Sequence, residues 1–286
     1  MKKKKKGNLM QNKIAAGIVL YSPDIDRLKK NLEAIVPQVE KVFLVDNHSD
    51  NIKEVKKMLE QFPVCKLIKN EKNAGIATAL NQLMSEAQNQ GYTWLLTLDD
   101  DSVCEKDMVG KLTAYKDKPY AGIVCPRATD DKMSALVKSG NPQVTEVDSC
   151  ITAGSLTSIE AWNAIGNFDD KMFIDFVDVE YCTRLREHGY RIYQVNSTCI
   201  HQQYGNISGE FSILGRTFYL FNYSPVRVYY SVRNQIYYMK KHKSFLNMGQ
   251  QRLFLIGYIG KRIIFEKNRV ASFKAVIRGI KDGIRM

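Results

Sequence analysis

The feature that most constrains the fold is an alternation of short apolar runs with longer amphipathic segments in the first third of the chain. The runs at 14–20, 42–45, 64–68 and 93–98 are strand-like, and the segments between them repeat apolar residues at helical spacing. This order is typical of βαβ units. We therefore predict an α/β fold with a mostly parallel sheet flanked by helices.

The carboxyl ends of these predicted strands carry polar residues. Asp46 and Asn47 follow the second run, Asn73 and Gly75 follow the third, and residues 99–101 follow the fourth. Ligands of open α/β sheets bind at the carboxyl ends of the strands. We therefore expect a ligand site at this edge of the sheet.

Three adjacent carboxylates, Asp99, Asp100 and Asp101, are the strongest sign of chemistry in the chain. Like charges this close repel one another, so their presence after a buried strand indicates a cation between them. Carboxylate oxygens are ligands that suit Mg²⁺ or Mn²⁺, and either ion would bridge to the phosphates of a substrate. The alternative that this motif leaves open is a solvated acidic turn.

A second group of acids lies near the start of a predicted helix over 178–188. Asp175 and Asp178 are three positions apart, and Glu180 and Arg184 are four apart. On a helix, the arginine can therefore hold one carboxylate while another faces a pocket. A carboxylate edged by the aromatic residues of this segment would have a raised pKa and could accept a proton from an alcohol. The alternative is an ordinary helix N-terminus whose acids favour the helix dipole.

The formal net charge of +12 is concentrated at the two ends of the chain. Lys2 to Lys6 contribute +5, residues 240–286 contribute +10, and the body between them sums to −3. Residues 245–280 mix apolar and basic side chains, which is the composition of helices that lie in a membrane interface. This region is therefore predicted to bind an anionic membrane surface, with a helical appendage packed on the catalytic domain as the alternative.

The charge and the strand pattern together predict three parts of the chain. They are a basic N-terminal tail at 1–13, a catalytic domain at 14–240 and a C-terminal helical, membrane-associating region at 241–286. No window reaches the roughly 18 to 20 apolar residues that a spanning helix requires. We therefore expect the chain to touch a membrane without crossing it.

The cysteines and histidines give no sign of a metal or disulfide framework. Six cysteines and four histidines are scattered without a repeated spacing. Scattered thiols are typical of buried residues in a reduced compartment. The apolar stretch after the lysine run is short and lacks a cleavage site, so it predicts a first strand rather than a signal peptide. These observations predict a cytoplasmic protein.

Two other classes of protein share parts of this pattern. A nucleic-acid-binding protein would explain the basic charge, but that charge lies at the ends and is not interleaved with aromatic residues on a sheet face. A nucleotidyltransferase would share the acids and the sheet, but it needs a glycine-rich basic loop after the first strand, where this chain has Tyr21-Ser22-Pro23-Asp24. We therefore expect no nucleic-acid partner.

Several motifs occur in the order and at the spacing of a known enzyme family. They are Val45-Asp46-Asn47, Asn73-x-Gly75, Leu98-Asp99-Asp100-Asp101-Ser102, Ala153-Gly154-Ser155-Leu156, Gly166-x-Phe168-Asp169, Phe173-Ile174-Asp175-x-x-Asp178-x-Glu180, Arg184, Gly189-Tyr190, His201 and Ser224-Pro225-x-Arg227-x-Tyr229-Tyr230-x-x-Arg233-Asn234. Over residues 14–240 the chain resembles the family-two glycosyltransferases of the GT-A fold, and within them the bacterial rhamnosyltransferase branch. The resemblance implies a GT-A type sheet flanked by helices.

The resemblance also implies roles for the residues of the expected ligand site. Those implied to contact the nucleotide sugar are Tyr21, Asp46, Asn73, Gly75, Asp99 and Asp100. Asp101 is implied to bind the metal, with Asp99 and His201 as further ligands. Because the middle residue of this D-x-D pair is also acidic, the choice of the two metal-binding acids stays open.

The general base of the family aligns with Asp178, which precedes the helix arginine Arg184 by six positions. The residue before it is Val177, where the wider family often has Glu, so Asp175 and Glu180 stay open as alternative bases. Two arginines of the later motif are implied to contact the acceptor or the diphosphate, and they are Arg227 and Arg233.

The resemblance implies an inverting transferase with Mg²⁺ or Mn²⁺ as cofactor. The implied reaction moves L-rhamnose from dTDP-rhamnose onto a lipid-linked glycan in bacterial cell-surface polysaccharide synthesis, on the inner face of the cell membrane. The alternative donors are UDP-galactofuranose and UDP-hexoses. A basic membrane- or nucleic-acid-binding protein without catalysis is the alternative from another class, and a homo-oligomer is compatible with the sequence.

Overall fold

The computed structural model describes residues 13–130, 142–202, 209–213, 216–220, 223–265 and 268–286. Lys2 to Lys6 of the predicted basic tail lie outside these residues. The strands are β1 (Ile14–Leu20), β2 (Val42–Asp46), β3 (Cys65–Lys69), β4 (Trp94–Asp99), β5 (Val103–Cys104), β6 (Ala121–Asp130), β7 (Val144–Val147), β8 (Ser155–Ser158), β9 (Arg191–Gln202), β10 (Gly209–Ile213) and β11 (Arg216–Leu220). The α-helices are α1 (Ile25–Ile35), α2 (Ile52–Leu59), α3 (Ile76–Asn89), α4 (Met108–Thr113), α5 (Ile159–Ile165), α6 (Val177–Glu187), α7 (Pro225–Lys241), α8 (Met248–Ile264) and α9 (Arg269–Arg285).

The central sheet has two halves with different strand directions. β1 pairs in parallel with β2 and with β4, and β3 continues the parallel half outside β2. β8 runs antiparallel to β4 and β6, and the order across the sheet is β3-β2-β1-β4-β8-β6-β9-β5, with β7 on β9. β10 and β11 form a separate antiparallel pair. The predicted α/β fold is confirmed, and the later strands make the whole sheet mixed.

Helices cover both faces of the parallel half. In β1, Ala15 and Val19 join the apolar core that contains Leu83 of α3, whereas Ile18 and Leu20 join the core that contains Leu28 of α1. Alternate side chains of a strand point to opposite faces, so β1 is buried between two helical layers. This is why the inner strands β1, β2 and β4 have mostly apolar runs in the sequence, whereas the edge strand β3 also carries exposed lysines.

Two helices begin at residues that cap their first turn. The Asp24 side chain accepts a hydrogen bond from the Arg27 N–H at 2.9 Å, and α1 follows it. Ser224 accepts in the same way from the Arg227 N–H, and Pro225 occupies the first turn of α7. These are the favoured residues at such positions, so the helix predicted after Ser224-Pro225 is confirmed.

The C-terminal helix α9 packs directly against α7. A Cβ atom on Gly279 would lie 2.8 Å from the carbonyl oxygen of Tyr229, and one on Gly283 would lie 2.6 Å from that of Arg233. The two backbones therefore touch at positions that only glycine allows. The Tyr229 hydroxyl also donates a hydrogen bond to Asp282 at 2.9 Å. One side of the C-terminal region is thus fixed to the helix that closes the predicted catalytic domain.

The other side of the C-terminal region exposes large apolar side chains. They are Leu253, Phe254, Ile256, Ile264, Phe265, Val270, Phe273, Ile277 and Ile284. Exposed basic residues lie among them, including Arg252, Arg269 and Lys274. Among the described residues, no helix is both long enough and apolar enough to span a membrane. The region therefore combines a packed face with an apolar and basic exposed face.

Candidate active site

The carboxyl ends of three parallel strands meet at one edge of the sheet. Val19 of β1 pairs with Asp99 of β4, and Leu20 pairs with Asp46 of β2. A pocket of about 270 Å³ opens at this edge. Its walls include Val19, Tyr21, Asn47, Asn73, Gly75, Ile76, Asp99, Asp100, Asp101, Phe173 and Ile174. The ligand site expected from the strand ends therefore exists as a cavity.

A larger cleft of about 810 Å³ lies elsewhere in the molecule. It is lined by Trp94 and Ala121, which stand at the amino ends of β4 and β6. This places it at the opposite edge of the sheet from the three acids. The smaller pocket, which holds the acidic turn, is the better candidate for the chemistry.

The acidic turn after β4 is held by helix α1. The Asn31 side-chain amide donates to the carbonyl oxygen of Asp99 at 2.8 Å, and the Arg27 Nε donates to that of Asp101 at 2.6 Å. Both bonds reach backbone oxygens, so they fix the path of the turn. Sequence reasoning missed Arg27 and Asn31, because they are about seventy positions away from the turn in the chain.

The carboxylates of this turn lie close enough together to repel one another. Burial, together with the charges of Asp101, Asp100 and Asp178, raises the pKa of Asp99 to about 7, although a hydrogen bond from Gln202 opposes the shift. Burial likewise raises the pKa of Asp100 to about 6, although the Tyr21 N–H donates to it at 3.1 Å. A divalent cation would relieve this repulsion, and the carboxylate donor set fits Mg²⁺ or Mn²⁺.

Strand β9 brings two polar side chains to this region, on opposite sides of the strand. The Gln202 amide donates to Asp99 Oδ2 at 3.2 Å. The His201 ring lies 3.3 Å from the Thr129 hydroxyl. Glu105, Cys199 and His201 each have one potential metal-ligand atom, and these three atoms lie within 4.8 Å of one another. The structure therefore places Gln202 against the acidic turn, and the metal-binding role of His201 stays a prediction.

At the end of β2, Asp46 shapes the following turn and Asn47 lines the pocket. Asp46 is buried, and its Oδ1 accepts from the Ser49 N–H at 3.0 Å, which shapes the turn. Asn47 lines the pocket, and its side-chain oxygen accepts from the Ala74 N–H at 2.9 Å. The predicted nucleotide contact of Asp46 stays a prediction, and Asn47, which the sequence analysis placed at the strand ends without a role of its own, lines the pocket.

The segment around Gly75 is in close backbone contact with the loop before α6. Gly75 has φ +86°, and a Cβ there would lie 2.6 Å from the Phe173 ring and 2.7 Å from its carbonyl oxygen. The next residue, Ile76, donates its N–H to that same carbonyl at 2.6 Å. The absence of a side chain at Gly75 thus lets Phe173 fit into the pocket wall, and the predicted contact of Gly75 with the nucleotide sugar stays a prediction.

Asp178 lines a second cavity, of about 490 Å³, together with Arg127, Cys150 and Gln194. Burial raises its pKa to about 6; the Val179 N–H opposes this, while the charges of Cys150 and Asp175 add to it. Its charge in turn raises the pKa of Asp99, so the two acids are close enough to interact. A carboxylate with this pKa can accept a proton near neutral pH.

The two alternative bases are engaged by other side chains. Glu180 is fully buried, and its oxygens accept from Arg184 at 2.8 and 2.9 Å and from Lys241 at 2.8 Å. Asp175 forms an ion pair with Arg227 at 3.2 Å. The i,i+4 arginine thus holds Glu180 while Asp178 faces a cavity, which is one of the arrangements that the helix spacing allows.

The two arginines expected to contact the acceptor or the diphosphate have partners within the protein. Arg227 donates to Asp175 Oδ1, and Arg233 donates to Asn234 Oδ1 and to the carbonyl oxygen of Lys171. The Arg233 guanidinium also lies 4.6 Å from the centre of the Tyr230 ring. Their contact with a substrate stays a prediction, and both contribute to the structure around the loop before α6.

An acidic turn beneath a pocket at the parallel strand ends, with a raised-pKa carboxylate on α6 beside it, defines a glycosyltransferase of the GT-A class. The chain belongs to glycosyl transferase family 2, and the sequence model of that family matches residues 18–181. The resemblance drawn from the motifs is therefore confirmed, and so is the expectation of an enzyme. The alternative of a binding protein without catalysis is set aside.

One curated relative is similar over nearly its whole length. A Shigella flexneri protein named dTDP-rhamnosyl transferase RfbF is 28% identical over 296 residues, covering 96% of this chain and 97% of that protein. The similarity therefore includes the C-terminal helices and is not confined to the family domain.

Solved structures share the fold at low sequence identity. GalNAc-T7 with UDP, GalNAc and Mn²⁺ matches with a TM-score of 0.60 at 13% identity, over 86% of this chain and 54% of that one. Staphylococcus aureus TarS matches with 0.62 at 13%, over 96% and 49%. A mannosyltransferase from Pyrobaculum calidifontis with GDP-Man and Mn²⁺ matches with 0.60 at 13%, over 93% and 73%. The chain spans about half the length of the first two, and the likeness confirms the GT-A fold.

Proposed function

We propose that this protein transfers L-rhamnose from dTDP-rhamnose, with inversion, to a hydroxyl group of a lipid-linked glycan. The observation that carries the choice of sugar is the similarity to a dTDP-rhamnosyl transferase over 96% of this chain. UDP-galactofuranose and UDP-hexoses are the alternative donors within the same fold. The proposed setting is the synthesis of a bacterial surface polysaccharide at the inner face of the cell membrane.

The donor would occupy the pocket at the strand ends. Its nucleotide would lie between Tyr21, Asn47 and the Asn73–Gly75 segment, with its diphosphate toward the acidic turn. Asp101 and Asp99 would hold Mg²⁺ or Mn²⁺, and His201 is the further candidate ligand. When bound, the cation neutralises charge on the diphosphate leaving group. Two of the structurally similar enzymes contain Mn²⁺, which favours a divalent metal.

Asp178 would act as the general base. Its carboxylate would take the proton of the acceptor hydroxyl as the acceptor oxygen bonds to the anomeric carbon. The bond between that carbon and the diphosphate oxygen would break, and the nucleoside diphosphate would leave on the opposite side. The position of Asp178 in the 490 Å³ cavity supports this role, because the acceptor needs a site beside the donor pocket.

The exposed face of α8 and α9 supports a membrane-bound acceptor. Its apolar side chains and exposed basic residues match a helix pair that lies in the interface of an anionic bilayer, where each basic group contributes about 1 kcal/mol. The test is flotation with anionic liposomes. We expect Leu253→Asp with Phe254→Asp to reduce binding, and Tyr120→Asp, at an exposed aromatic residue outside these helices, to leave it unchanged. Equal binding of all three proteins would refute the membrane site.

The function itself is tested with a panel of nucleotide sugars. Release of nucleoside diphosphate is measured with and without Mn²⁺ or Mg²⁺, in the presence of membrane lipid extract as the acceptor source. We expect turnover with dTDP-rhamnose that EDTA abolishes. Turnover with UDP-galactofuranose or a UDP-hexose in its place would overturn the choice of sugar while leaving the transferase assignment intact.

A further inference from the structure

The loop at 173–176, directly before helix α6, has an unusual backbone. Three residues that are not glycine have positive φ angles in it: Phe173 at +54°, Asp175 at +62° and Phe176 at +67°. Residues with side chains adopt this region at a cost in energy, so such a conformation persists only where the surroundings hold it. This loop therefore needs a strong set of contacts, and α7 supplies them.

Asn234 of α7 makes the largest number of these contacts. Its Nδ2 lies 2.6 Å from the carbonyl oxygen of Met172, 2.7 Å from that of Ile174 and 2.9 Å from that of Asp175. The side chain is fully buried. A buried amide that meets three carbonyl oxygens of one loop fixes their relative positions.

The orientation of this amide is set by its neighbour. The Arg233 guanidinium lies 2.9 and 2.8 Å from Asn234 Oδ1. A guanidinium can only donate hydrogen bonds, so the atom that faces it must be the amide oxygen. The side-chain NH₂ group of Asn234 therefore faces the loop. Both polar groups of this side chain, the oxygen and the NH₂, have hydrogen-bond partners.

Two further residues of the same helix face hold the loop. Arg227 donates to Asp175 Oδ1 at 3.2 Å, and Ser231 donates to Asp175 Oδ2. Arg227, Ser231 and Asn234 are four and then three positions apart, so they lie on one face of α7. We call these three residues the α7 clamp.

The clamp acts on a loop that joins the two parts of the site. Phe173 and Ile174 line the donor pocket, and Asp178 follows within the first turn of α6. The donor end has a second anchor, because the Phe173 carbonyl accepts from Ile76 and its ring packs on Gly75. The carbonyl oxygens of residues 174 and 175 are held by Asn234 of the α7 clamp. The body of α6 is held by Arg184, so its first turn is the part that the clamp controls.

We propose that Asn234 is a positioning residue for the transfer reaction, which fixes the Asp178 carboxylate relative to the donor pocket by holding the carbonyl oxygens of Met172, Ile174 and Asp175. The proposal rests on the assignment of Asp178 as the base. It gives the Arg-Asn pair at 233–234 a role that needs no contact with substrate. It also explains why α9 packs so closely behind α7, since a fixed helix is needed to hold a strained loop.

The variant that tests the proposal is Asn234→Asp. It keeps the shape and the oxygen that faces Arg233, but it turns a second oxygen toward three carbonyl oxygens and so opens the clamp. A displacement of about 1 Å costs up to about a hundredfold in rate, so we expect kcat to fall between about tenfold and a hundredfold. The KM for the donor should stay within about threefold of wild type, because the second anchor at Phe173 is intact.

The matched control is Gln235→Glu. Gln235 is the next residue on α7, is equally buried, and donates to the Gln251 carbonyl of α8 at 3.3 Å instead of to the loop. The same amide-to-acid change there should lower thermal stability with kcat retained at temperatures where the protein is folded. Ser231→Ala is the second test variant, and it should give the same pattern with a smaller loss, of about two- to fivefold in kcat.

The assays use the donor that the panel identifies, with Asp178→Asn measured alongside. An active Asp178→Asn would overturn the base assignment, and this proposal with it. An inactive Asp178→Asn together with wild-type kcat in Asn234→Asp and Ser231→Ala would overturn the clamp alone. An equal loss of kcat in Gln235→Glu would also overturn it, since the effect would then belong to helix stability.

Discussion

Helix α6 carries two carboxylates, Asp178 and Glu180, in opposite surroundings. Residues that are two positions apart in a helix are about 200° apart around its axis, so the side chains of Asp178 and Glu180 leave α6 on nearly opposite faces. Asp178 lies beside a cavity, and burial raises its pKa to about 6. Burial would also raise the pKa of Glu180, but hydrogen bonds from His242 and Arg184, with the charges of Arg184 and Lys241, lower it to about 2.

The difference shows how one helix separates chemistry from structure. A general base must keep its charge without a permanent cation, because a paired carboxylate is too weak a base near neutral pH. A buried structural acid must be paired, because an unpaired buried charge is costly. Arg184 and Lys241 pair with Glu180, and Arg184 also donates to the carbonyl oxygens of Ile165 and Gly166. The structural face of α6 thus holds the helix in place for the proposed catalytic face.

Removing the charge on the cavity face should have the largest effect. We expect Asp178→Asn to lower kcat by about 10²- to 10⁴-fold, because the acceptor hydroxyl loses its proton acceptor. Donor affinity, measured by calorimetric titration with dTDP, should be nearly unchanged. Asp170→Asn makes the same change at an exposed acid near the same helix and should retain wild-type turnover. Full activity in Asp178→Asn would show that another group takes the proton.

Removing the charge on the structural face should act on stability. Glu180→Gln leaves Arg184, Lys241 and His242 around a neutral side chain, and breaking a buried ion pair in this way costs about 3 to 5 kcal/mol. The measurement is the free energy of unfolding in urea. Glu187→Gln, at a partly exposed acid of the same network, should cost less. A Glu180→Gln protein as stable as wild type would contradict the structural role assigned to this face.

The same contrast predicts the acid limb of the pH profile. Turnover needs ionised Asp178, so kcat should fall by about tenfold per pH unit as the pH drops below about 6. Glu180 gives no change in this range, because its pKa is held near 2. Its contribution to stability is complete above its ordinary pKa and is lost as the pH falls from there toward 2. A profile that stays flat down to pH 5 at saturating donor would contradict the base assignment.

Sequence reasoning located the elements that depend on local patterns. The apolar alternation predicted β1 to β4 and α1 to α3 within a few residues, because each pattern belongs to one short segment. The acids after β4 and at the start of α6 were found for the same reason. Strands β7 and β9 have weaker patterns, and their pairing joins residues some fifty positions apart. Nothing local in the sequence indicates that pairing.

The supports of the site could not be predicted in the same way. Gln202, Asn31 and Arg27 reach the acidic turn across 68 to 103 positions of chain, through bonds that any polar side chain could make. Arg227 and Arg233 are predicted to contact substrate, and within the protein their partners are a loop acid and backbone or amide oxygens, which the sequence did not indicate. The spacing of Arg227, Ser231 and Asn234 on one helix face was the available signal, since it indicates a common target.

The smallest of the predicted effects on stability concerns His242, which follows α7 and contacts two acids of α6. Its two ring nitrogens lie 2.7 Å from Glu187 and 3.3 Å from Glu180, so both act as donors when the ring is protonated. Burial alone would lower the pKa of His242, but the hydrogen bonds to Glu180 and Glu187 raise it above its ordinary value. A raised pKa means that the stabilisation is complete below the ordinary pKa of histidine and is lost as the pH rises through the pKa of the folded protein.

We expect the free energy of unfolding to fall by about 1 kcal/mol from pH 6 to pH 9, and His242→Gln to remove most of this dependence. If His242→Gln keeps the wild-type pH dependence, the charge on this ring does not contribute to the structural face of α6.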